Sequence, residues 1–505
     1  MAASLAARGV QYVFGLPGGE IVAFIDACRR AGIRFLLTGH EASAAWMAQV
    51  VGQITGVPGV CAATLGPGAT NLVTGVANAW LDRAPMLAVT AQIPGAAIET
   101  MTHQRVPLDR LFAPVTKGSF AVGFGDTVAL VEQSMDLAAA PRPGPVHIVL
   151  ASDLAIQEYH EQPRQADIEL SGSTPDLHSM TTRLEAAARP LVLIGLGATP
   201  AAAPAIRAFI DKLQAPFMVT PKAKGIAGED HPLFAGVASG MAIDRDIVEI
   251  IKSADLVVGI GFDPVECDKT WFADIEVASI DSASMAEGRY RPLEAIGDIG
   301  ALVASLAPTP KPWRAILPRR EAGTGLSPLR LTEGLRSIFP RDGIATCDVG
   351  SHKLLMGQFW RSYEPGTFFM SNGLSGMGFG VPAAIAAQLC HPEKHVMAVV
   401  GDGGMLMMLH DLALVRELNL PIVIVVLSDR SLSLIRVSEE RRGFPAYGVD
   451  FTPPDFAAIA QAFGIAGRRV SSISEAKSCA EQALSQRAPF VLDVPIDYRE
   501  YYDLV

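Results

Sequence analysis

Two unbroken apolar runs that end alike constrain this chain more than any other feature of it. Residues 396–400 (VMAVV) run into Gly401-Asp402-Gly403-Gly404, and residues 422–427 (IVIVVL) run into Ser428-Asp429. The stretch between them reads as a crossover helix starting near Met405. Parallel strands joined in this way open their carboxyl ends onto one edge of a sheet. Asp402 and Asp429, 27 positions apart (402 to 429), should therefore emerge together, close enough to share one hard cation. The glycines let backbone approach a ligand, and a following helix directs free N–H groups at it. Two carboxylates beside such a turn suit magnesium bridging to a diphosphate. A lone Gly-Asp-Gly would read as a strand–turn–helix with Asp402 as the helix cap; the second aspartate reverses that preference.

The same alternation recurs along the chain. Short apolar strands at 12–14, 34–38, 59–64 and 85–92 alternate with helical stretches at 20–30 and 42–55. Strands are expected again at 191–195, 217–220 and 256–261. The pattern predicts an α/β protein of three doubly wound parallel-sheet domains, at 1–160, 185–308 and 328–505. A polar stretch at 159–177 and a Pro-rich one at 307–328 read as linkers. Blocks one and three look like variants of one design.

Composition narrows the class. Of 505 residues half are hydrophobic and 18% charged, so several cores can be filled. The apolar runs break well before the ~20 residues of a membrane span. A net charge of −11 without basic clusters argues against nucleic acid. No charged n-region precedes an apolar stretch at the start, and six scattered cysteines show no metal spacing. A cytoplasmic enzyme is expected. Gly195-Leu196-Gly197 follows a strand as a dinucleotide fingerprint would, but Pro200 takes the third glycine's place and the next strand ends at Thr220 without an acid. It reads as a structural turn.

Taken with its other motifs, the chain resembles the thiamine diphosphate enzymes of the acetohydroxyacid synthase-like family, most nearly the catabolic acetolactate synthases. The motifs are VFGLPGG (13–19), GHEASAAWMA (39–48), GPGATNLVTGVANAW (66–80), THQRVPLDRLFAPVTK (102–117), CDVGSHKL (347–354) and SNGLSGMGFGVPAAIAA (371–387). The closer likeness rests on VVGIGFDPVE (257–266), VDFTPPDFAAIAQAFGIAGRRV (449–470) and VLDVPIDY (491–498). The resemblance covers nearly the whole chain. It implies thiamine diphosphate-binding folds, with pyrimidine and diphosphate domains flanking a central Rossmann-like domain.

The resemblance also implies roles. Glu41 would bond the aminopyrimidine ring nitrogen and favour the imino tautomer that takes a proton from the thiazolium carbon. Taken alone, Glu41 is a helix-start glutamate favoured by the helix dipole. Asp402 and Asp429, with the Ser431 carbonyl, would hold Mg2+. Gly350, Ser351, His352, Gly401, Gly403 and Gly404 would serve the diphosphate. Met377, next to Gly376, would prop the cofactor in its bent form, and Pro17 and Asn71 lie in motifs that line it. Gln104 would steer a 2-oxo acid; His103 beside it is either part of that site or a solvated loop residue. Most of the wider family has Asn at position 429, and the catabolic enzymes resemble this chain in having Asp.

The reaction so implied is decarboxylation of a 2-oxo acid followed by carboligation, pyruvate being donor and acceptor in an acetolactate synthase. Two alternatives stay open. One is a decarboxylase, lyase or carboligase acting on another 2-oxo acid or a 2-hydroxy ketone; the other is an inactive cofactor-binding paralogue. Gly39 stands where many relatives have arginine, and Val437 and Glu439 where they have an aromatic residue and glutamine, all expected on or near the substrate channel. Arg441-Arg442 reads as a solvated turn, and His40 and His410, the latter expected within a helix, are assigned no chemistry. The region around Phe262-Asp263-Pro264 resembles the flavin-free catabolic type, so FAD is not expected. A homodimer or homotetramer with sites at the subunit interface is expected.

Overall fold

A computed structural model describes residues 1–123, 127–157, 177–267, 275–315, 317–318 and 320–503. The expected linker at 159–177 lies, Leu177 apart, outside the described residues. The chain packs as two compact units. One comprises Met1–Leu170, Gly373–Glu393 and Met408–Leu420; the other comprises Ser171–Asn372, Lys394–Met407 and Pro421–Val505.

The first unit holds a parallel sheet of β1 (Tyr12–Leu16), β2 (Arg34–Leu37), β3 (Gly59–Ala63), β4 (Met86–Gln92), β5 (Ser119–Ala121) and β6 (Pro145–Ala151), in the order β2-β1-β3-β4-β6-β5. All seven residues of β4 are buried. A central parallel strand is covered on both faces, so it reads as an unbroken apolar run with no alternation.

The second unit holds two sheets. The first of them contains β7 (Pro190–Ile194), β8 (Phe217–Val219), β9 (Phe234–Val237), β10 (Leu256–Ile260), β11 (Val277–Asp281) and β12 (Leu293–Ile296), in the order β12-β11-β10-β7-β8-β9. This is the doubly wound order 3-2-1-4-5-6. Alternate side chains feed two cores: Val192 and Ile194 join one with Val258 and Ile260, while Leu191 and Leu193 join another with Val257.

The other sheet contains β13 (Ile344–Cys347), β14 (Phe368–Met370), β15 (Val396–Gly401), β16 (Ile422–Ser428), β17 (Ala466–Arg469) and β18 (Phe490–Pro495), in the order β14-β13-β15-β16-β18-β17. Strand for strand this repeats the order of the first sheet, so the expected kinship of blocks one and three holds at the level of topology. The fold is α/β throughout. Between Ser305 and Pro328 the described residues form neither helix nor strand.

The crossover from β15 to β16 differs from expectation. Its helix starts at Asp402, not near Met405, and ends at Met407. A turn at 408–410 follows, then a second helix, Asp411–Glu417. An aspartate in the first turn suits the positive end of a helix and draws its start back onto the glycines. The run MLMML contains no breaker, so nothing local marks where the helix stops. His410 therefore lies in the turn ahead of a helix and not within one.

Candidate active site

In a sheet of this order, β13 and β15 leave their crossovers in opposite directions, and the crevice between their carboxyl ends is where such sheets bind ligands. From β13 come Asp348 and Gly350, the cap of a helix opened by Ser351 and His352, where a turn was expected; from β15 comes Asp402; from β16, its neighbour, comes Asp429.

Asp402 is buried, 2% exposed. Its Oδ1 accepts the Gly403 N–H at 2.8 Å, and its Oδ2 accepts the Arg430 N–H, also at 2.8 Å. The second bond ties it to the residue after Asp429, whose own Oδ1 accepts the Ser431 N–H at 3.2 Å. Burial, and then the charge of Asp429, push the Asp402 carboxyl up to about 7. Burial raises Asp429 as well. Two desolvated carboxylates, one raised further by the charge of the other, form a strong site for a cation, which relieves desolvation and repulsion together. Among the described residues no three acidic, histidine or cysteine side chains are arranged to hold a metal. The two carboxylates would need other oxygens, such as a backbone carbonyl and phosphate, to complete a magnesium shell.

Three further features make room for such a group. Asp348, 1% exposed, lies against Gly404: a Cβ there would sit 2.1 Å from its Oδ2, so a side chain at 404 would displace the Asp348 carboxylate. The His352 ring lies against Gly350 and Gly401, at 2.9 and 3.1 Å from where their Cβ atoms would be. Its Nε2 is buried and has no partner among the described residues, and burial lowers its pKa to about 4, so it is a neutral acceptor. Ser351 shares a 2.7 Å hydroxyl bond with Ser433, which in turn bonds Asp429. Ser431 is buried, with its hydroxyl donating to the Val449 carbonyl. Asp348 and Ser433 were not singled out in the sequence. The signal for Asp348 was present: an acid at a strand end, two residues before a glycine.

The first unit carries the remaining candidates. Its crevice lies between β1 and β3, bridged by a 2.8 Å bond from the Thr64 hydroxyl to Glu20. Pro17 is exposed on the turn after β1. Glu41 opens the helix Glu41–Thr55, whose cap is His40: its Nδ1 accepts the Ala42 N–H at 3.0 Å. The Glu41 side chain turns inward, leaving the residue 4% exposed, and its Oε2 accepts from Asn71 Nδ2 at 3.0 Å. Gln104 adopts a left-handed backbone, φ +56°, a strained state for a residue with a side chain. It packs on Gly66, where a Cβ would meet its own Cβ at 2.8 Å. His103 is exposed on the same loop.

Gly376 and Met377 belong to this unit, with a Gly376 Cβ falling 3.7 Å from Trp46 on the Glu41 helix. The expected channel role of Val437 is corrected. The residue is fully buried, in an apolar cluster with Leu329, Leu354, Leu355 and Tyr501. Glu439 is half-buried and accepts the Tyr447 N–H at 3.3 Å. Arg441 and Arg442 are exposed, as expected of a surface turn.

The turn Gly195-Leu196-Gly197 after β7 sits at the switch point of the middle sheet, where a dinucleotide phosphate would lie. Its Leu196 N–H instead donates to Glu266 Oε2 at 2.8 Å. An internal carboxylate takes the phosphate's place.

The thiamine pyrophosphate enzyme families match in sequence order: the N-terminal TPP binding domain at residues 1–111, the central domain at 177–306 and the C-terminal TPP binding domain at 348–494. The chain is similar to the probable acetolactate synthase large subunit of Methanocaldococcus jannaschii, 30% identical over 99% of this chain and 92% of that protein. It is 31% identical to the acetolactate synthase isozyme 2 large subunit of Escherichia coli, over 98% of this chain and 95% of the other. It is 30% identical to the catabolic acetolactate synthase of Raoultella terrigena, over 98% and 94%. Fold, motifs and relatives define a thiamine diphosphate-dependent enzyme that decarboxylates and ligates. The chain belongs to the acetohydroxyacid synthase-like family of such enzymes.

Proposed function

We propose that the chain is a magnesium- and thiamine diphosphate-dependent acetolactate synthase, converting two pyruvates to 2-acetolactate and CO2. The observation that carries the metal site is the convergence of Asp402, buried, and Asp429, half-buried, each raised in proton affinity. The relatives' names support the substrate.

When bound, thiamine diphosphate supplies a nucleophilic carbon and an electron sink. The chain's own residues bind, orient and move a proton. Asp402, Asp429 and the Ser431 carbonyl hold Mg2+. Gly401, Gly403, Gly404, Gly350, Ser351 and His352 receive the diphosphate. Glu41, oriented by Asn71, exchanges a proton with the pyrimidine ring nitrogen, while Met377 would prop the bound cofactor and Gly376 and Pro17 would line it. Gln104 orients the 2-oxo acid, with His103 beside it in the same site. In this reading Glu41 serves a site whose diphosphate residues belong to a second copy, so the enzyme is an obligate dimer or a pair of dimers. Domains at 1–160, 185–308 and 328–505 accompany it. Among the described residues the cysteines form no disulfide, in keeping with a cytoplasmic setting. Glu266 at the middle switch point argues against FAD there.

The absence of a side chain at Gly39 favours a second reading, in which the substrate is another 2-oxo acid or a 2-hydroxy ketone. Incubation with thiamine diphosphate, Mg2+ and pyruvate, followed by NMR, decides. Acetolactate is the expected product. Acetaldehyde or acetoin alone would mark a decarboxylase, and untouched pyruvate with cofactor bound would move the substrate to another 2-oxo acid.

A further inference from the structure

The histidines left without a role in the sequence gather at the start of the Glu41 helix. The Ser43 hydroxyl, in the first turn of that helix, donates to Asp411 Oδ2 at 2.9 Å and lies 3.2 Å from His410 Nε2. The same nitrogen is 3.4 Å from Asp411 Oδ1. One residue further back, His40 caps the helix, its ring 6.3 Å from that of His410. All four residues lie in the first unit.

The trio is not a nucleophilic triad. In such a triad the carboxylate orients the imidazole through the nitrogen opposite the serine. Here serine and aspartate share one nitrogen, Ser43 is fully buried, and its proton is directed at Asp411. Burial and the neighbouring His40 lower the His410 pKa, keeping the ring neutral near pH 7; with the Ser43 proton directed at Asp411, the Nε2–H tautomer donates to the Ser43 hydroxyl oxygen. The cluster is a clasp on the first helical turn.

Gly39 is the other half of the device. A Cβ there would sit 2.5 Å from His410 Cδ2 and 2.6 Å from its Cβ and Cγ. Contact with the root of the ring cannot be relieved by a small swing of its tip. The imidazole occupies the room in which a side chain at position 39 would begin.

We propose that His410 is a positioning residue for Glu41, fixing through Ser43 and Asp411 the helical turn that aims the carboxylate, and occupying the volume next to Gly39. This rests on the reading of Glu41 as the group that meets the cofactor's pyrimidine. A slip of the helix start would take Glu41 off Asn71, and displacement by about 1 Å at a reacting group can cost 10²-fold in rate.

The test is the rate at which the thiazolium C2 proton of bound thiamine diphosphate exchanges with deuterium, read by NMR after acid quench. Cofactor Kd and amide exchange across residues 39–47 of the cofactor-free chain are measured alongside. His410→Ala should slow C2 exchange about tenfold or more with Kd within about threefold, and should speed amide exchange in that segment. His410→Gln, which keeps a donor, should recover most of the rate. Gly39→Ala, with His410 intact, should reproduce the loss and decides the matter if His410→Ala does not fold. Wild-type C2 exchange in His410→Ala, or in Gly39→Ala, overturns the proposal. Glu41→Gln is the control: unchanged exchange there overturns the reading of Glu41, whereas slow exchange there with a normal rate in His410→Ala overturns only the role of His410.

Discussion

The first and third sheets have the same strand order and carry opposite chemistry at the same place. At the first sheet's switch point a hydroxyl meets a carboxylate, Thr64 to Glu20, and the Glu41 carboxylate is satisfied by Asn71. The corresponding edge of the third sheet gathers Asp348, Asp402 and Asp429, with the neutral His352 acceptor beside them. One arrangement offers a single oriented carboxylate; the other concentrates negative charge that calls for a cation. Topology supplies the crevice, and the residues at the strand ends decide what it does. The middle sheet makes the same point by contrast, since its crevice is filled from within by Glu266.

If this division of labour is right, the two edges should fail differently. Glu41→Gln should lower kcat by about 10²–10⁴-fold, the range of general acid–base catalysis, while cofactor affinity changes little. Steady-state kinetics beside a cofactor titration separates the two; a variant that loses cofactor instead would erase the distinction between the sheets. Asp402→Ala should do the reverse. It should weaken Mg2+ and cofactor retention by about 100-fold, with turnover largely recovered at saturating cofactor, on the scale of disrupted metal sites. Equilibrium dialysis with Mg2+ measures this, and unchanged affinity would remove Asp402 from the metal site.

The smallest effect belongs to the middle sheet. Burial pushes the Glu266 carboxyl up to about 8, so the folded chain holds a proton that the unfolded chain releases above its ordinary 4.5. Stability contributed by that proton is full below the unfolded value and is lost as pH rises toward about 8. Glu266→Gln should remove this slope, a difference on the order of a few kcal/mol between about pH 5 and about pH 8. Thermal melts of the cofactor-free chain at the two values measure it, and parallel melting curves in both proteins would show that Glu266 is not buried as described.

How much of this was legible in the sequence depended on whether its cause was local. Apolar runs ending in Gly-Asp and Ser-Asp announced β15 and β16, and the same logic found β1 to β4. Two edge strands escaped it, though the edge strand β2 did not: β5 has three residues and β17 reads AGRR, mostly exposed, so neither shows the continuous apolar run of a covered strand. Val437, taken for a channel residue by likeness to relatives, is core because Leu354, Leu355 and Tyr501 close over it.

Sequence alone determined the strand–helix alternation, the turns that carry Asp402, Asp429 and Glu41, and the cofactor they imply, because strand ends and helix starts are set within a few residues. Only the tertiary structure decided that Asp348 rests on Gly404, that His410 occupies the space beside Gly39, and that Glu266 accepts the Leu196 N–H. Each joins residues 56 or more positions apart (348 and 404, 39 and 410, 196 and 266). Such pairs meet only after the sheets have formed and packed, and no local propensity encodes them.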